Sequence, residues 1–173
     1  MKVFSKLTIL LAYLALASCG KSDDGPYAKD YDMYNTAKPT PNLVTGGQPS
    51  PKDLAKLAQE GIEIVINLRA KEEMDGFNEK ALVESLGMEY VAIEMEGSED
   101  ITPETAKLLD QVLSQGKKTL LHCASSNRVG GLLAYRAYSI QGQSTEEALD
   151  FGKRTGMGSS EKRVRKLIFG KKN

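Results

Sequence analysis

From Asn42 onward, short β-branched runs alternate with punctuated helical segments, and this alternation restricts the chain to few architectures. Residues 62–68 (IEIVINL) read as a buried strand. Residues 88–94 (MEYVAIE) and 117–123 (KKTLLHC) read as two more, and Asn42, Leu43 and Val44, before Gly46 and Gly47, as the first. Helices lie between them. Ser50 and Pro51 supply an N-cap and a first turn, Leu54, Leu57 and Ala58 an apolar stripe, and Gly61 a stop. Residues 77–86 form a second helix closed by Gly87, and Thr102 and Pro103 open a third, with Ala106, Leu109, Val112 and Leu113 inward and Gly116 at its end. Residues 129–140 are apolar nearly all round, which predicts a buried helix. Ser144 and Glu147 form a capping box for a fifth, and Ser159 or Ser160 caps a last one. The predicted fold is α/β, a mostly parallel central sheet of about four strands flanked by helices. Ligands in such sheets bind beyond the carboxyl ends of the strands, which singles out the loops after Leu68, Glu94 and Cys123.

The chain begins differently. Lys2 and Lys6 precede an apolar run, residues 7–17 (LTILLAYLALA), shorter than the roughly 20 residues that span a bilayer. The ending Leu16, Ala17, Ser18, Cys19 resembles the lipobox of bacterial lipoproteins. That resemblance implies a signal peptide over residues 1–18, a lipidated Cys19, and an extracytoplasmic protein of the cell envelope held on a membrane by its acyl chains. Residues 19–41 are polar, contain three Pro and show no helical period, so they read as a tether to a domain over 42–173. Tyr27, Tyr31 and Tyr34 in this stretch either pack on the domain or bind something.

Composition removes several functions. Lys and Arg number 23, against 23 Asp and Glu, so the basic excess of a nucleic-acid binder is missing. Two Cys and one His cannot build a zinc site of the His and Cys type. No metal or organic cofactor is expected.

The chemistry lies in the loop after the fourth predicted strand, His122-Cys123-Ala124-Ser125-Ser126-Asn127-Arg128. A cysteine ends a buried strand, a small polar loop follows, and a long helix starts on its far side. Loop amides and a helix N-terminus together form a positive nest that binds an anion or stabilises a thiolate. Arg128 at the loop exit can grip two oxygens of a phosphate or sulfate. These parts make a nucleophilic site for phosphoryl or sulfur transfer.

Through His122, Cys123 and Arg128 the chain resembles the protein tyrosine and dual-specificity phosphatase superfamily. More closely, it resembles the small bacterial subgroup related to the phosphatase-like domain of beta-lactamase-hydrolase-like proteins. Gly46-Gly47-Gln48-Pro49-Ser50 and Ile66-Asn67-Leu68-Arg69 share in that resemblance, which covers roughly residues 42–156. It implies that Cys123 is a nucleophile passing through a cysteinyl-phosphate. Arg128 and the amides of Ala124, Ser125, Ser126 and Asn127 would hold the phosphate of a phosphorylated substrate of unidentified class, and His122 would support the loop.

Three departures from the superfamily pattern keep other readings open. Four residues, not five, separate Cys123 from Arg128. Ser126 stands where the subgroup usually has Gly, a residue suited to positive φ, and Val129 stands where phosphatases often have Ser or Thr. Rhodanese-like sulfurtransferases also use a short loop, with the cysteine as persulfide carrier. A non-catalytic module that binds an anion or a partner is the third reading. Asp100 is the candidate general acid, being the only Asp in the loop after the third predicted strand, with Glu96 second. Arg69 either meets a substrate anion or pairs with Glu72 or Glu73, and Gln48 reads first as a turn residue.

Overall fold

A computed structural model of the chain describes residues 30–74 and 76–170. The leader, Cys19, Tyr27 and the rest of the expected tether before residue 30 lie outside the described residues.

Five strands form one sheet: β1 (Ala37–Thr40), β2 (Leu43–Gly46), β3 (Ile64–Arg69), β4 (Glu89–Met95) and β5 (Thr119–His122). Their spatial order is β1-β2-β5-β3-β4, and every pairing is parallel except β1 with β2. Six helices of the described residues accompany them: α1 (Pro51–Gln59), α2 (Glu79–Ser85), α3 (Pro103–Leu113), α4 (Asn127–Ser139), α5 (Thr145–Arg154) and α6 (Glu161–Phe169). The α/β architecture with a mostly parallel sheet is therefore as expected, with one additional strand.

Strand residues alternate between two cores because side chains alternate across a pleated sheet. Ile64, Ile66, Leu68, Leu121 and Cys123 join Leu132, Leu133 and Val164 on one face. Val44, Val65 and Leu120 join Leu54, Leu57 and Val83 on the other. The register brings Gly46 of β2, His122 of β5 and Asn67 of β3 onto one rung at the carboxyl end of the sheet.

The segment expected as a tether is part of the fold from residue 30 onward. Tyr31 and Met33 are buried in the second core, the Tyr31 hydroxyl donates to Glu60, and β1 closes the outer edge of β2. The segment carries no regular apolar period because single side chains fill gaps beside α1. An otherwise unpaired strand edge supplies the backbone partners for β1.

Capping boxes start α1 at Ser50, α3 at Thr102 and α5 at Ser144, as their sequences require. Ser160 does not cap α6: its hydroxyl donates to the backbone carbonyl of Asn127 instead. The buried helix α4 packs against α5 through Gly130, where a Cβ would come within 2.3 Å of Met157 N and 2.6 Å of the Gly152 carbonyl oxygen. Backbone cannot yield as a flexible side chain can. Gly130→Ala is expected to lose about 2 kcal/mol, because overpacking against backbone falls at the upper end of its usual range, about 3 kcal/mol, against a helix-propensity gain of ~1. Urea unfolding measures this directly.

Candidate functional site

Cys123 directly follows β5 and is 1% exposed. Its N–H donates to the Gly46 carbonyl at 3.3 Å. The loop then runs against the segment after β2, where Gln48 N donates to the Ala124 carbonyl at 3.1 Å. Gly47 permits this approach, since a Cβ there would meet the Ala124 oxygen at 2.7 Å. Gly47 therefore admits the cysteine loop, whereas Gly46 ends β2 and packs on Met33. Asn35, from the expected tether, also reaches the loop, donating from Nδ2 to the Ser125 carbonyl at 3.2 Å.

Ser126 is buried at φ 69° in the left-handed region and is the N-cap residue of α4. Its hydroxyl makes no cap; it donates to the Thr155 carbonyl at 2.9 Å. The first-turn N–H groups of α4, which no helix can satisfy internally, thus lack the side-chain cap present at α1, α2, α3 and α5. That arrangement suits an anion at the loop. The Asn127 side chain also turns away from the loop, its Oδ1 accepting from the N–H groups of Gly158 and Ser160. Any anion binding by Ser126 and Asn127 therefore falls to their backbone, because their side chains anchor the loop to the segments around α5 and α6.

Arg128 is buried and occupied on both terminal nitrogens. Nη1 and Nη2 donate to the two carboxylate oxygens of Glu73 at 2.5 and 2.7 Å, and Nη1 also donates to the Met95 carbonyl. Glu73 sits in a single 3-10 turn, Lys71–Glu73, after β3. This fork-to-fork geometry fixes the guanidinium plane beside the loop. The Arg128 bond holds the Glu73 carboxyl below its usual 4.5; partial burial opposes this, and the Ala70 N–H and the charges of Arg128 and Arg69 add to it. The same bond raises Arg128 above its usual value against desolvation, and the Cys123 sulfur adds to the effect.

Arg69 pairs with neither Glu72 nor Glu73. Its Nη1 donates to Gln48 Oε1 at 2.6 Å, and its buried Nε has no partner. Its charge reaches Glu73 and Glu79 and helps to hold both carboxyls below their usual range. His122 is fully buried, with Nε2 at 2.8 Å from Glu79 Oε1. Sequence reasoning named Glu73 only as a partner for Arg69 and missed Glu79, since each is an ordinary acidic residue of a loop or helix start until the chain folds. Asp100 lies in the 3-10 turn Ser98–Asp100 after β4, where Oδ2 accepts from the N–H groups of Glu96 and Gly97 at 2.7 and 3.2 Å. Glu96 is exposed. Among the described residues no cluster of His, Cys, Asp and Glu could hold a metal ion.

Residues 26–169 match the family described as DSP-PTPase phosphatase fused to NAD+ kinase. Several solved structures share the fold. A DUF442 chain of Shewanella putrefaciens CN-32 is 21% identical with a TM-score of 0.63, covering 81% of this chain and 94% of its own. Tk-PTP in its active form is 19% identical with a TM-score of 0.62, over 79% and 97%. TpbA of P. aeruginosa, solved in complex with pTyr, is 18% identical with a TM-score of 0.61, over 76% and 83%. At such identities the likeness extends to the fold alone. A comparison with curated proteins finds no match.

Two expectations follow from the site. Ser126→Ala and Ser126→Gly both lose the bond to Thr155, but Gly relieves the left-handed backbone. Ser126→Gly should therefore be the more stable of the two by about 1 kcal/mol in chemical denaturation. Glu73 is depressed in the folded state, so its contribution is complete above the ordinary 4.5 and is lost as pH falls through the lower folded value. Glu73→Gln should flatten that acid limb in unfolding experiments run as a pH series.

Proposed function

Because the chain belongs to the family of DSP-PTPase phosphatases, of the tyrosine and dual-specificity phosphatase superfamily, we propose that it hydrolyses phosphomonoesters through Cys123. One observation carries this reading. The cysteine ends a central strand beside a helix N-terminus without a side-chain cap, with the guanidinium of Arg128 locked next to it by Glu73.

In the proposed reaction the Cys123 thiolate attacks phosphorus, forming a sulfur–phosphorus bond as the bond to the leaving oxygen breaks. Loop amides and Arg128 stabilise charge on the equatorial oxygens. Asp100 protonates the leaving oxygen; Oδ2 is held by two backbone donors, which leaves Oδ1 to carry the proton. Water then attacks phosphorus, the thiolate departs, and phosphate is released. The spacing of four residues makes a smaller cradle than the superfamily pattern, and Val129 brings no hydroxyl to the second step. Acylation of Cys19, supported by the basic start, the apolar run and the Leu-Ala-Ser-Cys ending, would place this activity at the surface of an envelope membrane.

The test uses the full chain under reducing conditions. An aryl phosphate should be hydrolysed by the wild type and not by Cys123→Ser. Asp100→Asn should slow an alkyl phosphate by about 10²–10⁴ and an aryl phosphate with a good leaving group far less, because such a group departs without a proton. Equal rates for wild type and Cys123→Ser would defeat the reading, and sulfur transfer from thiosulfate to cyanide would then be assayed for the rhodanese-like alternative.

A further inference from the structure

We infer that Glu79 is a positioning residue for Cys123, holding His122 with a proton on each ring nitrogen between its own carboxylate and the Cys123 carbonyl. This deepens the cysteine-nucleophile reading and rests on it.

Glu79 is the first residue of α2, yet it is only 5% exposed. Its Oε1 accepts from His122 Nε2 at 2.8 Å and from Asn67 Nδ2 at 3.1 Å, and its Oε2 from Gln48 Nε2 at 2.5 Å. The amide oxygens of Asn67 and Gln48 already accept from Arg69, so both amides face Glu79 as donors and suit a carboxylate. Burial alone works against ionisation and is the largest influence on Glu79. The bonds and charges of His122, with Gln48 and Arg69, outweigh it and hold the carboxyl below its usual 4.5.

The other ring nitrogen of His122, Nδ1, lies 3.4 Å from the Cys123 carbonyl oxygen. A carbonyl can only accept. Each nitrogen therefore faces an acceptor, and making both bonds requires both N–H groups. The resulting cation sits one residue from the sulfur in a site closed to water. There, an imidazolium without a counter-charge would be strongly disfavoured, and Glu79 supplies that charge. A neighbouring cation favours a thiolate. The remaining groups around Glu79 do not replace it. Arg69 is cationic and reaches the cluster through Gln48, and the Tyr90 hydroxyl accepts from Asn67 at 3.0 Å.

The chain contains a single histidine, so nitrogen NMR of the 15N-labelled full-length protein reads this ring without overlap. At neutral pH the wild type is expected to show both ring nitrogens protonated, and Glu79→Gln only one. Iodoacetamide alkylation provides the second readout, followed on the Cys123 peptide by mass spectrometry because Cys19 is also a thiol. In Glu79→Gln it should slow about tenfold at mildly acid pH, whereas Glu146→Gln, at an exposed position on α5, should leave it unchanged. A bare ring nitrogen in the wild type overturns the proposal, even should Glu79→Gln fail to fold. Unchanged alkylation in a folded Glu79→Gln overturns it as well. Neither readout involves phosphate. A protein that shows both expected results yet hydrolyses no phosphomonoester would defeat the phosphatase reading and leave the role of Glu79 standing.

Discussion

A carboxylate nearly closed off from water is tolerable only when donors surround it. Glu79 meets that condition by drawing on three separate parts of the sheet: His122 at the end of β5, Asn67 near the end of β3, and Gln48 just after β2. These are the elements whose register aligns Gly46, His122 and Asn67 on one rung. The buried charge therefore ties together the strand ends from which the cysteine loop departs. Gln48 passes the constraint on, since its backbone N–H holds the Ala124 carbonyl and its side-chain oxygen receives Arg69.

A second carboxylate does comparable work on the other side of the loop. Glu73 grips Arg128 with both oxygens, and the Met95 carbonyl receives the same guanidinium, so the turn after β3, the end of β4 and the start of α4 meet at one side chain. An arginine confined in this way cannot reorient freely when an anion arrives. That is a form of preorganisation, in which charge stabilisation needs little rearrangement. Ser126 shows the cost of the arrangement: a buried residue other than glycine is kept in the left-handed region, with its hydroxyl bound to Thr155.

Much of this was legible in sequence. The β-branched runs at 62–68 and 88–94, the boxes at Ser50 and Ser144, and the all-apolar segment 129–140 announce their elements through local chemistry alone. From residue 30 to 41 the expected tether is part of the fold, which its sequence hides because Tyr31 and Met33 fill irregular gaps and carry no period. Ser126 and Asn127 illustrate a different blind spot. Their place in the loop assigns their amides to an anion but says nothing of their side chains, which bind segments that lie 29 to 33 residues further along.

By itself the sequence determined the alternating sheet-and-helix plan, the placement of Cys123 at a strand end, and the presence of Arg128 at the start of the following helix. Those properties rest on periodicity, capping and chain order, which act over a few residues. Only the tertiary structure decided which acids matter. Glu73 lies 55 residues from Arg128, and Glu79 lies 43 residues from His122. Nothing in their neighbourhoods separates them from other acidic residues. Their roles arise because folding removes water from around Arg128 and His122, and a buried charge or polar ring must then find a partner wherever the packed chain can bring one.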